Sequence, residues 1–516
     1  MKMFLYRVLL IFILTLCMVL LTACNMKKKH IEITVLLKQL NVQDTLDPSF
    51  FRLSQEYIYL ENLTTRLVEL NKNGQYTNLL TDKITIKNDR KDYYFKIKKA
   101  YFSDGSLITP RDVINSFKRL ILYGSPHSNP KEFIRGAQDL NEINQNIEGL
   151  KVVETDTIFI GLNYPMKELF YYLQLADYGI LHSSQYSKNE LKLRDWEKIT
   201  SGPYRINLKG NAVTFVVNTK SISYRQDIPH SITPLEKKGE ELVKSVREGE
   251  VHFGFFSFSD FKNHRDALLR IKEVNVFGEN TDAISYIVLN INSKKFKSQK
   301  TRQWFLKKIL MNFEVNKKQQ SYMKKAYQYF LPGAKGYVPV ENIFHILQGV
   351  KIVDTPEELK LGVKIKTIET MKNYLTENTE EVLSSSLGIP VQLDFSVKRK
   401  NYKSFLLERE FDAFVIAAGM SYKVVGETLN LAYTSKTPTM LDLSGKIHKN
   451  LREYQKTDNP AEEQVFIEKI LKQMVVDAEC IPLYYIASPF FYNKKILNID
   501  DVNIDEIPQF WKMYVQ

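Results

Sequence analysis

The sequence predicts an α/β fold divided into more than one domain. Segments 31–37 and 283–292 have the apolar, β-branched pattern of strands, whereas 57–70 and 300–310 have the spacing of amphipathic helices. Strands and helices thus alternate in both halves of the chain, which favours α/β lobes. With 516 residues the chain exceeds what one ordinary hydrophobic core organises, so we expect two or three domains.

The remaining elements follow the same alternation. An apolar content of 44% and a charged content of 25% are typical of a globular protein. Further elements are predicted as a strand at 157–162, an aromatic helix at 165–175, a helix and then a strand within 242–251, and buried strands at 411–418 and 481–486.

The N-terminus has the pattern of an export signal. Lys2 and Arg7 flank the start of an apolar run at 8–20, which is shorter than a comfortable membrane span and leads to L-T-A-C ending at Cys24. We expect a signal peptide at 1–23 and diacylation of Cys24; the alternative is an uncleaved anchor helix. Either way, the rest of the chain lies outside the cytoplasmic membrane, held there by burial of acyl chains or of the helix.

Charge and cysteine content agree with export. The net charge is +13, but the lysines are scattered, which is typical of a solvated surface near an anionic membrane and argues against a nucleic-acid partner.

The chain has three cysteines, and only Cys480 remains after the N-terminal segment and the lipidation site are set aside. We therefore expect no internal disulfide, and a buried, inert Cys480.

Residues 101–120 (YFSDGSLITPRDVINSFKRL) carry the most informative local pattern. S-D-G-S reads as a tight turn in which Gly105 takes positive φ. Thr109 is a good helix N-cap, Pro110 suits the first helical position, and Asp112 completes a T-x-x-D capping box. By itself this predicts a strand, a turn and a capped helix, a unit found in many α/β proteins.

This string also resembles the signature of extracytoplasmic solute-binding proteins of family 5, the oligopeptide-, dipeptide- and nickel-binding type. In that family an aromatic residue and S-D-G precede a threonine-capped helix with the pattern D-V/F-x-x-S-[FW]-x-R-L. The resemblance is collinear from about Thr34 to Tyr485 and is weaker between 338 and 382. Other segments that resemble family motifs are T-L-D-P at 45–48, S-G-P-Y-R-I at 201–206, L-P-G-A-K-G-Y at 331–337, L-G-I-P-V-Q-L at 387–393 and I-P-L-Y-Y at 481–485.

The resemblance implies a bilobal periplasmic-binding-protein-like fold of type II, with an extra inserted domain and two crossover hinges. Ligand would be trapped between the lobes by hinge closure and delivered to an ABC permease, and the protein would perform no catalysis. The implied domains are lobe I at 24–70, 195–280 and 489–516, an inserted small domain at 71–194, and lobe II at 281–488.

The residues expected at the ligand depart from the family pattern. In peptide-binding members a segment like R-A-G-W-x-A-D-Y ends with an aspartate that holds the α-amino group. Aligned without gaps, this chain has Val415 at the arginine position, Ser421 at the aspartate position and Tyr422 retained, and Arg52 replaces an acidic residue found in some members. The candidate ligand-binding residues are Arg52, Gln55, Val415, Met420, Ser421 and Tyr422.

A serine does not supply the charge that offsets desolvation of an ammonium group. The pattern therefore predicts that free N-terminal amines are not bound in the usual manner, and that the ligand is blocked, modified or anionic, or is held through its backbone. Two alternatives stay open: the ungapped alignment is displaced by a few residues, or another acid substitutes.

Enzymatic readings find little support. H-E-x-x-H, G-x-x-x-x-G-K-[ST] and C-x-x-C are absent, and G-M-S-Y-K at 419–423 has Lys423 where a nucleophile elbow needs glycine. The eight histidines are dispersed, so no metal or cofactor is expected. We expect a monomeric, lipid-anchored, extracytoplasmic peptide-binding protein; the alternative is a binding-fold lipoprotein repurposed as a sensor, adhesin or scaffold.

Overall fold

The structure is a computed structural model of the 516-residue chain. It describes residues 31–38, 40, 46–49, 54–71, 75–125, 127–186, 193, 198–209, 212–277, 281–315, 323–350, 354–373, 375, 378–398, 402–419, 425–433, 439–442, 444–502 and 508–516. The predicted signal peptide and Cys24 lie outside the described residues. Within the described ranges, no helix is both long enough and apolar enough to cross a bilayer.

Strands and helices alternate along most of the chain. In chain order the strands are β1 (Glu32–Leu36), β2 (Val68–Leu70), β3 (Tyr76–Asn78), β4 (Thr81–Lys87), β5 (Asp92–Ile97), β6 (Leu150–Glu154), β7 (Thr157–Gly161), β8 (Tyr204–Lys209), β9 (Ala212–Val217), β10 (Ser231–Leu235), β11 (Phe253–Phe255), β12 (Val274–Phe277), β13 (Thr281–Leu289), β14 (Met323–Lys325), β15 (Val363–Ile368), β16 (Val391–Val397), β17 (Ala413–Gly419), β18 (Cys480–Ala487) and β19 (Phe490–Asn493).

Some of the α-helices begin at a side chain that caps the first turn. Ser298 accepts a hydrogen bond from the N–H of Thr301, and Asn459, which precedes Pro460, accepts one from Ala461. In chain order the helices are α1 (Ser54–Leu63), α2 (Pro110–Tyr123), α3 (Pro130–Phe133), α4 (Leu169–Gln174), α5 (Gly239–Arg247), α6 (Phe258–Leu269), α7 (Gln299–Asn312), α8 (Val340–Gln348), α9 (Thr379–Leu387), α10 (Tyr402–Glu408), α11 (Val425–Tyr433), α12 (Lys446–Lys456) and α13 (Pro460–Asp477).

Three of the sheets define the parts of the molecule. Lobe I contains the seven-stranded sheet β12-β19-β11-β1-β10-β9-β8, with parallel pairing of β1 to β10 and β11. Lobe II contains the six-stranded sheet β14-β18-β13-β17-β15-β16, with parallel pairing of β15 to β16 and β17. The small unit contains the antiparallel sheet β4-β5-β7-β6 together with α2, α3 and α4.

The chain passes between the lobes at two neighbouring places. It leaves lobe I after β12 and enters lobe II at β13, and it returns from β18 to β19. Because β12 pairs with β19 and β13 pairs with β18, the strands that flank the two connections lie side by side. The register places Phe277 opposite Phe490 on the lobe I side and Thr281 opposite Ala487 on the lobe II side.

The buried apolar residues form separate clusters. One cluster lies wholly within lobe II, between Ile284 and Ala487. A second cluster is shared by the small unit and lobe I, since it includes Phe95 and Phe117 together with Phe215 and Phe510. A third, smaller cluster packs α5 and α6 against the lobe I sheet. The small unit is therefore fixed to lobe I by a continuous core, whereas lobe II has a core of its own.

The main difference from the predicted elements concerns the helix expected at 57–70. It ends at Leu63, and 68–70 form strand β2 instead. The hydroxyl of Thr64 donates to the carbonyl of Leu60, which satisfies a helix-end acceptor, and the β-branched pair Thr64-Thr65 follows. The predicted burial of Cys480 is confirmed: it begins strand β18, and burial raises the pKa of its thiol.

Candidate functional site

Two of the sequence motifs meet in one buried ion pair. Asp47 of the L-D-P turn accepts hydrogen bonds from both terminal nitrogens of Arg119 in α2, at 3.0 and 2.5 Å. Both side chains are 1% exposed. The Asp47 carboxylate also accepts from the N–H of Ser49, and the Arg119 guanidinium lies over the rings of Tyr123 and Tyr186. The pair thus attaches the small unit to the first loop of lobe I.

Two further motifs are joined by the backbone. The N–H of Ser103 in the S-D-G turn donates to the carbonyl of Thr200, and the hydroxyl of Ser103 accepts from the N–H of Thr200. Gly202 of S-G-P-Y donates to the carbonyl of Leu63 at the end of α1. A Cβ on Gly202 would lie 2.5 Å from backbone atoms of Leu63 and Thr64, so this approach requires glycine.

The signature helix has the predicted cap. Thr109 accepts from the N–H of Asp112, and the Asp112 carboxylate accepts from the N–H of Thr109, so the capping box is complete. Asp104 accepts from the N–H and hydroxyl of Ser106, and Gly105 has φ of 97°. Residues 101–120 therefore serve the structure, and their carboxylates are engaged locally.

The residues predicted to contact ligand are placed only in part. Val415 lies in β17, 1% exposed, within the lobe II core, and its carbonyl accepts from the hydroxyl of Thr367. Gln55 is the second residue of α1, and its side chain is outside the described part. Arg52, Met420, Ser421 and Tyr422 also lie outside the described residues. A ligand contact by these six residues stays a prediction.

The segments singled out for ligand binding each follow a strand that pairs in parallel with a neighbour. In open α/β sheets, ligands occupy the crevice beyond the carboxyl ends of parallel strands. In lobe I the carboxyl end of β1 leads toward the L-D-P turn, and in lobe II the carboxyl end of β17 leads into 420–424. The segments singled out from the sequence thus follow the carboxyl ends of these two strands.

A row of aromatic rings borders the two chain connections on the lobe I side. Phe255, Phe277 and Phe490 are opposite one another across β11, β19 and β12. The rings of Phe277 and Phe490 stack at 4.9 Å, and Phe277 also stacks on Tyr492 at 5.7 Å. Phe277 is 40% exposed, so this row offers an apolar surface beside the hinge that sequence reasoning did not single out.

A cavity near the L-D-P turn is too small for a solute. Its volume is about 20 Å³, room for a single water molecule. It is enclosed by Leu46, Pro48, Leu60 and Leu63, among others, with polar atoms from Thr200 and Ser201 on one side. It therefore belongs to the packing beneath the turn.

The small unit also contacts lobe II through a buried carboxylate that the sequence did not reveal. Glu168, 7% exposed, accepts from the Tyr454 hydroxyl at 2.9 Å, from Nε2 of Gln455 at 2.5 Å and from the N–H of Gly426 at 3.4 Å. Burial raises the pKa of Glu168, although these hydrogen bonds and the nearby Lys167 act in the opposite direction. We call this set of contacts the Glu168 junction.

Ion pairs surround the Glu168 junction. Each joins a residue of the small unit to helix α12, helix α13 or the turn between them. They are Lys167 with Glu463 at 2.8 Å, Arg90 with Asp458 at 2.5 Å, and Arg452 with Glu132 at 3.2 Å. These contacts add to the attachment of the small unit to lobe II. The feature of the sequence that could have indicated this contact is Gly426, because a glycine inside a helix, here α11, often marks a close approach of another group.

Two features of the described side chains bear on metal binding and on nucleophilic catalysis. No group of three or more His, Cys, Asp or Glu residues among them is placed to hold a metal ion. The Asp177 carboxylate contacts Nδ1 of His127 and accepts from the hydroxyl of Ser125, so this serine does not meet the imidazole as a nucleophile would.

Comparison with known proteins identifies the family. The family model described as bacterial extracellular solute-binding proteins, family 5 Middle, matches residues 75–341, just over half of the chain. Members of this family bind solutes and are not enzymes, as predicted. No significant match was found among curated proteins.

Solved structures share the fold over almost the whole chain. The murein tripeptide binding protein MppA of Escherichia coli aligns with a TM-score of 0.74 and 15% identity, over 94% of this chain and 99% of that chain. OppA of Haemophilus influenzae in complex with RPPGFSPFR gives 0.73 and 15%, over 94% and 99%. NikA of Brucella suis in complex with Fe(III)-EDTA gives 0.72 and 15%, over 94% and 100%.

These comparisons confirm the predicted bilobal fold with its inserted domain and two crossovers. These three proteins share one fold, but their descriptions name different ligands: a murein tripeptide, a nonapeptide and a metal chelate. The fold alone therefore leaves the ligand class open.

Proposed function

We propose that this chain, which belongs to family 5 of the bacterial extracellular solute-binding proteins, captures a peptide or peptide-like ligand between its lobes and delivers it to the permease of an ABC importer. The observation that carries the proposal is the pair of side-by-side chain connections between two lobes with separate cores. Such lobes rotate about the connections without unfolding either core, and a ligand that contacts both lobes stabilises the closed form.

The ligand proposed for this cleft lacks a free α-amino group. In the ungapped alignment, Ser421 falls where peptide-binding members of the family carry the aspartate that holds the amine, and Arg52 falls at a position that is acidic in some of them. A neutral hydroxyl leaves a buried ammonium without its counter-charge, whereas a cation favours a carboxylate or another anionic group. We therefore expect an N-blocked, modified or anionic peptide.

The proposal is tested in two steps. Native mass spectrometry of the purified protein identifies a ligand that co-purifies. Calorimetry with matched pairs of unblocked and N-acetylated di- to pentapeptides then measures the preference. We expect N-acetylation to preserve or strengthen binding. Tight binding of unblocked peptides that is lost on acetylation would show that the free α-amino group is bound in the usual manner of the family, and would refute the proposed preference.

A designed substitution makes the same test sharper. Ser421→Asp restores a carboxylate at the predicted anchor and should increase affinity for unblocked peptides about tenfold or more, because a charge-assisted hydrogen bond is gained. Ser421→Asn is the matched control, of similar size and without charge, and should not. Equal affinities for the two variants would show that residue 421 does not face the amino terminus.

Export, anchoring and oligomeric state complete the proposal. We propose that cleavage before Cys24 and diacylation of its thiol hold the monomeric protein at the outer face of the membrane. We also propose the domain limits stated above, with 71–194 inserted into lobe I. Incorporation of labelled fatty acid into the wild-type chain and its absence in Cys24→Ser would support the anchor; labelling of both would exclude it.

The alternative is a lipoprotein with a binding fold and a changed role, as a sensor, adhesin or scaffold. The departures at Ser421 and Arg52 favour it, since they remove groups that hold a peptide. Thermal unfolding separates the two functions, because an importer component should gain stability as ligand exceeds its dissociation constant. Absence of stabilisation by any peptide or co-purified solute would favour the alternative.

A further inference from the structure

Glu168 occupies a helix N-cap but does not cap its helix. It precedes α4, and its side chain makes no hydrogen bond to the first turn of that helix. Within the described chain, every hydrogen bond to its carboxylate comes from lobe II. An N-cap carboxylate is normally stabilised by the N–H groups of its own helix. Here that stabilisation is given up for contacts that exist only when the two lobes meet.

Gln455 forms hydrogen bonds with both the backbone N–H and the side-chain carboxylate of Glu168. Its Oε1 accepts from the N–H of Glu168 at 3.3 Å while its Nε2 donates to the Glu168 carboxylate. The backbone carbonyl of Gln455 accepts from the N–H of Lys167 at 3.2 Å. The Lys167 ammonium lies 3.4 Å from the centre of the Tyr454 ring and donates to the carbonyl of Thr457. Buried donors and acceptors are thus matched across the boundary between the lobes.

Gly426 gives the junction its closest approach. It is the second residue of α11, and a Cβ there would lie 1.9 Å from Oε2 of Glu168 and 2.7 Å from Nε2 of Gln455. Glycine destabilises a helix relative to alanine, so lobe II alone gains nothing from it. The closest contact, with Glu168, requires glycine only when the small unit docks on α11, whereas within lobe II the methyl group would meet the end of the flexible Gln455 side chain.

The Glu168 junction has the chemistry of a reversible contact. Its hydrogen-bond donors are a hydroxyl, an amide and a backbone N–H, each of which water replaces when the lobes separate. The described apolar clusters of the two lobes remain separate there, so opening exposes little apolar surface. All of the groups belong to the protein, so the junction favours closure with or without a ligand in the cleft.

We propose that the small unit is a closing device: Lys167 and Glu168 dock on helices α11 to α13 of lobe II and bias the ligand-free protein toward the closed form. The inference rests on the lobe motion of the proposed function but not on the identity of the ligand. It also assigns a role to Gly426, Tyr454 and Gln455 as residues that set the balance between open and closed forms.

The test is an interlobe distance measured without ligand. Nitroxides are attached by Leu208→Cys in lobe I and Leu361→Cys in lobe II, which are exposed positions, in a Cys24→Ser background where Cys480 is buried. Ligand is removed in guanidinium, and its absence after refolding is checked by native mass spectrometry. Pulsed electron spin resonance then gives the closed and open populations.

We expect the parent protein to be mainly closed. Gly426→Ala inserts a methyl group into the junction, and Glu168→Gln places an amide donor against donors. Each should lower the ratio of closed to open protein about tenfold or more, since a hydrogen bond to a charged group is lost. Circular dichroism and the thermal midpoint should remain close to those of the parent, because within lobe II the methyl group at residue 426 meets only the end of a flexible side chain, that of Gln455, among its nearest atoms.

Matched controls identify the cause. Gly349→Ala changes a glycine at the end of α8 whose Cβ would meet only the Ile346 carbonyl, at 3.8 Å, and Glu142→Gln changes an exposed carboxylate of the small unit. Neither should alter the populations. A parent protein that is fully open without ligand, or folded junction variants with unchanged populations, would overturn the proposal. Failure to find a peptide ligand would affect the proposed function alone, since the distances are measured without one.

Discussion

The small unit meets each lobe through a buried carboxylate, but the two carboxylates have different partners. Asp47 of lobe I faces the guanidinium of Arg119, within an apolar core that continues across the boundary. Glu168 faces a hydroxyl, an amide and an N–H of lobe II, where the apolar clusters of the described residues stay apart.

This difference separates a permanent contact from a reversible one. Separating Asp47 from Arg119 would expose the shared core and leave two charges to be rehydrated, so that boundary opens only on unfolding. Separating Glu168 from Tyr454 and Gln455 exchanges neutral donors for water, and the Lys167–Glu463 ion pair at the same boundary, with side chains 9% and 13% exposed, already has contact with solvent. We therefore infer that the small unit moves as one body with lobe I. The predictions below test the contacts within lobes against those between them.

The largest effect is expected for Arg119→Met. Loss of the guanidinium leaves the Asp47 carboxylate buried without a counter-charge, which should lower the free energy of unfolding by about 3–5 kcal/mol. Arg452→Met is the matched control, because its pair with Glu132 joins the small unit to lobe II and the arginine side chain is 55% exposed. Its cost should be below about 1 kcal/mol. Urea denaturation measures both, and equal costs would remove the distinction.

A pH effect is expected from Glu479, a carboxylate buried within lobe II. Burial raises its pKa from 4.5 to about 7, although the N–H of Leu441 and the guanidinium of Arg409 act in the opposite direction. The pKa of Glu479 is higher in the folded state than in the unfolded state, so the folded protein binds this proton more tightly. The stability that the proton contributes is complete below pH 4.5 and is lost as the pH rises through 7.

The corresponding loss between pH 5 and pH 8 is about 3 kcal/mol. Calorimetry of the lobe II transition should therefore show a thermal midpoint that falls across this range. Glu479→Gln should flatten the profile. An unchanged slope in that variant would show that another titratable group causes the pH dependence of the thermal midpoint.

Gly202→Ala should be destabilising by about 2 kcal/mol, since an added methyl meets backbone that is fixed within lobe I. Gly426→Ala is equally crowded, but there the lobes relieve the clash by separating. The urea midpoint should therefore fall for Gly202→Ala and not for Gly426→Ala. A fall in both would mean that the junction with lobe II is as permanent as the core of lobe I.

The smallest effect is expected for Thr109→Ala, at about 1 kcal/mol, because only the local cap of α2 is lost. Thr109→Ser retains the hydroxyl and should restore most of the stability. Chemical denaturation of both variants measures the difference. Neither change should alter the interlobe distance, so a shift toward the open form would show that the cap also positions the small unit against lobe II.

Local and family-level features were predictable from the sequence. The cap at Thr109 and the turn at Gly105 follow from residues a few positions apart, and collinear motifs indicated the bilobal fold with two crossovers. Asp47 and Arg119 were each recognised inside a motif, but their pairing was missed, because side-chain partners 72 residues apart leave no mark in local spacing.

The Glu168 junction was also missed, for a related reason. The sequence predicted an aromatic helix over 165–175 with Glu168 inside it, and only the assembled lobes bring Gln455 to this glutamate. The candidate ligand residues Arg52, Met420, Ser421 and Tyr422 lie outside the described residues, so the structure adds nothing to their placement. For them the prediction rests on the family alignment.

The position of β19 in the lobe I sheet has a consequence for the order of folding. Lobe II takes its strands from one uninterrupted stretch, β13 to β18, whereas β19 lies between β11 and β12. Because the chain is synthesised from its N-terminus, all strands of the lobe II sheet are made before β19. The lobe I sheet therefore lacks the strand between β11 and β12 until residues 490–493 are made. The lobe that begins the chain is the last to be completed, and its unpaired strand edges are exposed to aggregation during that interval.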